Sequence, residues 1–276
     1  MNTTNHTLIL QTGMFAIQVE CESSTLFLQL QQRYAGFLAP NLGHGNSFNI
    51  KVRPPQPLTP PIKNKNKTPI FSPKGLCFST PGWEGNLDIS RRAGWVSPGA
   101  RAVEEVDYFL RVVCAVQVFQ AGGFLFHAAG ILRDGRAFVF FGPSGIGKTT
   151  ISRMSGEGAV LNDDLILLLP VEEHWYVYST PFSNAPQVAP LAGQYALLAG
   201  MYRLVQDQQV FLETPTPGHI LAELIANIPV LSTDSTYSPQ LLARCQRLLA
   251  STPVFRLHFR KDDSFWQIVN PGQSKP

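Results

Sequence analysis

The run Phe138-Val-Phe-Phe-Gly142-Pro-Ser-Gly-Ile-Gly147-Lys148-Thr149-Thr150 constrains this chain more than any other segment. Glycines at 142 and 147 followed by Lys148 and Thr149 complete the G-x-x-x-x-G-K-[ST] pattern of a phosphate-binding loop. The wholly apolar Ala137–Phe141 stands where a buried strand must precede such a loop. The bare pattern arises by chance about once in a hundred chains of this length, and the flanking strand and helical Thr149–Ser155 make an incidental glycine-rich turn rarer still. The chemistry follows from the spacing. In the loop Gly142, Pro143, Ser144, Gly145, Ile146 and Gly147 the glycines let the backbone N–H groups, which Pro143 lacks, turn inward around a polyphosphate, and Thr150 continues the cradle. Lys148 adds a mobile positive charge at the β/γ end, and the Thr149 hydroxyl suits Mg²⁺.

Composition restricts what the rest can be. With 276 residues, 44% hydrophobic and 15% charged, the chain can bury a sizeable core in one large domain or two modest ones. A formal charge of +3 is too small to argue for nucleic acid or a membrane surface, so any phosphate affinity is local. Cys21, Cys77, Cys114 and Cys245 show no metal-ligand spacing and no disulfide framework. The first thirty residues lack the layout of a secretory signal, and no stretch approaches eighteen uncharged apolar residues, so a cytoplasmic location is expected.

The organisation changes near residue 100. Before it lie short segments: strands at Met14–Val19 and Ser47–Val52, a helix at Leu26–Phe37, and further strands at Leu76–Ser79 and Asn86–Trp95. Pro54-Pro-Gln-Pro-Leu-Thr-Pro-Pro61, running into Lys63–Lys67, reads as a stiff loop or linker. Residues 1–98 are therefore expected to form a β-rich or α+β accessory region and 99–272 a second domain. In the latter a buried helix spans Ala102–Ala121 and a hairpin turns at Arg133-Asp-Gly135 to deliver the phosphate loop. Short strands follow at Ala159–Leu161 and Leu165–Leu169, then a hairpin over Met201–Leu212. Helices starting at Thr216-Pro217 and Ser238-Pro239 and strands at Val254–Phe259 and Phe265–Val269 complete the pattern.

Two further constellations bear on chemistry. Asn162-Asp163-Asp164 sits at the tip of a strand soon after Lys148. Two carboxylates facing a nucleotide can divide the work, one holding Mg²⁺ and one taking a proton from an attacking hydroxyl; the other reading is a solvated acidic turn. His127 is a lone polar ring in the apolar run Leu125-Phe-His-Ala-Ala-Gly130, a pattern that on its own favours a satisfied core histidine.

The order His127, the loop Gly-Pro-Ser-Gly-Ile-Gly-Lys-Thr at 142–149 and Asp163-Asp164 resembles the C-terminal catalytic domain of bacterial HPr kinase/phosphorylase, over roughly residues 102–270. The resemblance implies an α/β fold akin to phosphoenolpyruvate carboxykinase, a mixed sheet flanked by helices, preceded here by the β-rich region. It implies an ATP- and Mg²⁺-dependent serine kinase. In it Ser144 through Thr150 bind phosphates, Thr149 and Asp164 serve the metal, Asp163 is the general base, Lys148 acts on the transferring phosphoryl group, and His127 orients Asp163 or the γ-phosphate. The acceptor would be a serine-bearing peptide, protein or small molecule, and analogy with the family suggests a homo-oligomer.

The departures are informative. The return from Lys148 to Asp163 is shorter than in the family, Thr149 replaces a serine, and Ala128 follows His127 where the family has glycine. The later glycine-rich signature and the basic phosphorolysis loop are missing. Tyr178–Phe182, Ala189–Leu191, Met201–Leu204 and Val254–Phe259 instead look like divergent HPr kinase-like proteins, some of which accompany peptide-modification gene clusters, including a branch that phosphorylates lasso-peptide precursors. Residues 1–98 do not resemble the family's N-terminal domain, which argues against HPr as acceptor. The alternative function is a nucleotide-binding regulatory or adaptor protein without transfer: intact Lys148, Thr149, Asp163 and Asp164 count against it and the missing signature counts for it. A transporter-type ATPase lacks support because no L-S-G-G-Q element is present. Arg203, Arg256 and Arg260 are strand cations expected to be structural more often than phosphate-directed.

Overall fold

The computed structural model describes residues 5–42, 47–54, 68–72, 74–80, 82–156, 159–183 and 189–269, arranged in two compact units, Met1–Gln120 and Ala121–Pro276. The first contains β1 (His6–Thr12), β2 (Phe15–Cys21), α1 (Ser24–Arg33), β3 (Ser47–Val52), β4 (Ile70–Ser72), β5 (Gly75–Ser79), β6 (Glu84–Asp88), β7 (Ala93–Ser97) and α2 (Ala102–Gln120). Its strands form one mixed sheet in the order β1-β2-β3-β7-β6-β5-β4, with β2–β3 and β3–β7 parallel. Period-two burial of Phe15, Ile17, Val19 and Cys21 in β2 and of Phe48, Ile50 and Val52 in β3 gives this sheet one apolar face.

Helix α2 belongs to this first unit, so the division falls at Gln120/Ala121 and not near residue 98. The reason is packing and charge. Val106, Phe109, Leu110 and Val113 are buried, and α2 lies against α1, β2 and β3. The buried Asp107 carboxylate accepts from Arg33 Nε (2.9 Å), Arg111 Nε (2.8 Å) and the Tyr34 hydroxyl (2.8 Å), tying α2 to the end of α1. The expected strand over Asn86–Trp95 is two strands, β6 and β7, because the chain turns at Ile89–Arg92 with Arg92 at φ +51°. The segment 55–67, which holds the proline-rich run beyond Pro54, lies outside the described residues.

The second unit contains β8 (Phe124–Arg133), β9 (Arg136–Phe141), α3 (Lys148–Met154), β10 (Val160–Asn162), β11 (Leu165–Val171), β12 (His174–Tyr178), β13 (Tyr195–Gln206), β14 (Phe211–Glu213), α4 (Pro217–Ala226), α5 (Ser238–Ser251), β15 (Val254–Phe259) and α6 (Trp266–Val269). Its sheet is also mixed. Strands β8 and β9 form the anticipated hairpin, with Asp134 and Gly135 both at positive φ, as a tight two-residue turn requires. Strand β9 then runs parallel to β13, and β13 parallel to β15, so three strands end together where the chain leaves for residues 142–147. Pairing of β8 with β11, β11 with β12 and β12 with β13 returns the sheet to β9.

The side chains alternate accordingly. Phe138 and Phe140 of β9 join Tyr202, Leu204, Leu257 and Phe259 in a core packed by Ile151 of α3. Phe265–Val269, expected as a strand, is a helical turn followed by α6. The Asp262 carboxylate accepts from the Ser264 N–H and starts the turn, and burial of Phe265, Trp266 and Val269 follows helical spacing, not alternation. Among the described residues no helix is long and apolar enough to cross a membrane.

Candidate functional site

Strand β9 delivers the loop and α3 takes it away. The apolar strand anchors one end, and the Ile151 N–H donates to the Gly147 carbonyl (2.9 Å) to begin the helix. Between them Gly142, Gly145 and Gly147 adopt φ of +141°, +78° and +120°. Position 147 admits glycine alone for a second reason, since a Cβ there would stand 2.6 Å from the Phe259 ring. Lys148 is buried at the base of the loop, where Nζ donates to the carbonyls of Gly142 (2.9 Å) and Pro143 (3.3 Å). Burial pushes its ammonium below the ordinary lysine range, and the Asp164 carboxylate pulls it back up.

The acidic pair arrives by a break in a ladder. Both β10 and β11 run antiparallel to β8, with Asn162 opposite Gly130 and Leu165 opposite His127. Asp163 and Asp164 occupy the irregularity between them. Asn162 holds the break open. Its Oδ1 accepts the N–H groups of Asp164 (2.7 Å) and Leu165 (3.0 Å), the bonds of an Asx turn. Its Nδ2 donates to the carbonyls of Thr180 (2.8 Å) and Phe182 (3.1 Å), and the side chain is fully buried. The pattern Asn162-Asp163-Asp164 reads as an acidic turn and does not announce this role. The signal available was an Asn directly before two carboxylates at a strand end.

His127, Ser144, Gly145, Gly147, Lys148, Thr149, Thr150, Asp163 and Asp164 line one cavity of about 360 Å³. The expected residues that do not line it are Gly142, Pro143 and Ile146, which shape the loop from behind. No protein-family model and no curated protein matches this chain.

The pairings within the cavity differ from those expected. His127 Nε2 stands 3.3 Å from Asp164 Oδ1 and so is paired with the second carboxylate, whereas the Thr149 hydroxyl favours the ionised form of the first, Asp163. Burial, then repulsion from Asp164, holds the Asp163 carboxyl above its ordinary range, against the opposing pull of its backbone bond, Thr149 and Arg153. Arg203, Arg256 and Arg260 do not line the cavity. They pair with Glu223 (3.1 Å), with Glu213 (3.2 Å) and with Asp262. The hard oxygen donors Thr149, Asp163 and Asp164 fit Mg²⁺, an ion that completes its shell with water and phosphate oxygens.

Two outcomes follow. An acid whose folded pKa is raised costs the fold stability once pH passes its ordinary value of 3.8, and costs nothing below it, where both states are protonated. Asp163→Asn should therefore raise the melting temperature of the ligand-free protein at pH 7, with the gain fading as the pH falls through the raised pKa toward 3.8. Thermal melts of both proteins across pH 4–7.5 check this; a gain that grows toward acid contradicts it. Asn162→Ala should lower unfolding stability by about 2–4 kcal/mol in urea titrations, because the backbone groups of 164, 165, 180 and 182 lose their partner together.

Proposed function

We propose that this chain is an ATP-dependent, Mg²⁺-requiring kinase of the HPr kinase type that transfers the γ-phosphoryl group to a serine hydroxyl of a peptide, protein or small molecule. The observation that carries the reading is the convergence, in one cavity, of a complete phosphate loop with Lys148, two adjacent carboxylates and a histidine paired to one of them. A loop that only gripped a nucleotide needs neither Asp164 nor His127 beside it. Phosphoryl transfer needs a base near the γ-phosphate end and fixed positive charge around the transferring group.

The pairings also suggest how the two carboxylates divide the work. Asp164 is paired with His127 at 3.3 Å and shares the cavity with Lys148, whose charge it feels, a setting that suits the carboxylate meeting an acceptor hydroxyl. Asp163 lines the same cavity as Thr149, the loop hydroxyl suited to the metal, which favours its ionised form. On this reading Asp164 is the general base and Asp163 the metal-side carboxylate, the reverse of the assignment the family resemblance implies. The hydroxyl oxygen bonds to the γ-phosphorus as the bond to the β,γ-bridging oxygen breaks; Asp164 receives the hydroxyl proton, and ADP leaves. His127 holds the Asp164 carboxylate in place, and Lys148 and the loop amides stabilise the charge spread over the phosphoryl oxygens. When bound, Mg²⁺ supplies charge neutralisation across the β- and γ-phosphates.

Asp164→Asn should keep MgATP affinity and lower acceptor-dependent ADP release by roughly 10²–10⁴-fold. Asp163→Asn should instead weaken binding of MgATP relative to metal-free ATP, and the opposite pair of results returns the base to Asp163. Lys148→Ala should reduce ATP affinity about tenfold or more by calorimetry, since a buried charge-assisted contact is lost; an unchanged affinity removes the loop from the site.

A further inference from the structure

The loop is held from outside by a residue that belongs to another part of the sheet. Gln206, the last residue of β13, is exposed, and its Nε2 donates to the carbonyls of Ile146 (3.1 Å) and Gly145 (3.4 Å). In a trans peptide the carbonyl and the N–H that follows it point in opposite directions. Drawing the carbonyls of 145 and 146 toward Gln206 therefore turns the N–H groups of Ile146 and Gly147 away from it, into the loop. The first of these is already engaged inside the loop, where Ile146 N–H donates to the Pro143 carbonyl (3.3 Å), the same oxygen that accepts from Lys148 Nζ, so the group whose direction the brace presets for a ligand is the N–H of Gly147.

Gln206 is itself presented rigidly. The next residue, Asp207, donates its N–H to the Phe259 carbonyl (2.9 Å), and its Oδ1 accepts the N–H groups of Gln208 (2.6 Å) and Gln209 (3.1 Å). Its Oδ2 meets His258 Nδ1 at 2.9 Å. The same strand end supplies Phe259, whose ring lies against Gly147. One side of the loop thus has a hydrogen-bonding brace and an aromatic floor, both built on β13 and β15.

We propose that Gln206 is a positioning residue for polyphosphate binding, which presets the direction of the Gly147 N–H before the ligand arrives. It touches no phosphate itself, and the inference rests on the phosphate-loop reading above. A brace of this kind lowers the ordering needed on binding, so its loss shows as weaker affinity without a weaker fold.

The test is calorimetric titration of the full chain with MgATP and with inorganic pyrophosphate, alongside thermal melts. Gln206→Ala should weaken both ligands roughly three- to tenfold, as expected for one net hydrogen bond, with the ligand-free melting temperature unchanged. Gln206→Glu keeps the shape but has no donor and should weaken binding at least as much. Gln208→Glu places the same charge on the same exposed turn without touching the loop carbonyls and should leave affinity within about twofold. If Gln206→Ala binds like the parent, the brace is refuted while the phosphate loop stands. Equal losses in both Glu variants would reduce the effect to surface charge and also refute it. Failure of the parent to bind either ligand would sink the phosphate-loop reading and the brace with it.

Discussion

A buried carboxamide holds the cavity together. Strand β8 offers one continuous edge to β10 and β11, and an uninterrupted partner would carry Asp163 and Asp164 through the ladder with their side chains on opposite faces. Asn162 prevents this by substituting its own Oδ1 for the missing ladder acceptors and by anchoring its Nδ2 on the carbonyls of residues 180 and 182. The backbone can then swing both carboxylates to one side without leaving buried N–H groups unpaired. Such a network is stable only when fully satisfied, which explains why the residue is enclosed while its acidic neighbours face the cavity.

Charge in the cavity is arranged with the same economy of parts. Burial makes Asp163 costly to ionise, and repulsion from the adjacent Asp164 carboxylate adds to it. His127 pairs with Asp164, the charge of Lys148 is felt by the same acid, and the Thr149 hydroxyl favours the ionised form of Asp163. The arginines that end on β13 and β15 are occupied elsewhere. Arg203 and Arg256 share the acids of α4 and β14, binding the helix to the sheet and leaving Lys148 as the cation at the base of the loop.

Much of this was readable in the chain. The glycine-rich turn between β9 and α3, the β8–β9 hairpin and the helices starting at Pro217 and Ser238 rest on local rules: glycine at positive φ, alternation, proline in a first helical turn. Other features were hidden for physical reasons. The strand expected over Phe265–Val269 is helical because a single side chain, Asp262, starts the turn, and β6 and β7 looked continuous because a non-glycine residue, Arg92, takes the left-handed conformation. The attachment of α2 to the first unit depends on Asp107 meeting Arg33 and Tyr34, residues more than seventy positions away, which no local pattern announces.

By itself the sequence determined that residues 142–147 form a glycine-rich turn between a buried strand and a helix, because backbone curvature there is set by glycines and needs no distant partner. It also placed two carboxylates and a histidine as candidates. Only the tertiary structure decided which carboxylate meets the histidine, since that depends on the register between β8 and β11, a one-residue choice that exchanges the faces of every side chain in the strand. The brace from Gln206 is likewise tertiary. It lies some sixty residues from the loop it holds, and the parallel pairing of β9 with β13 alone brings the two together.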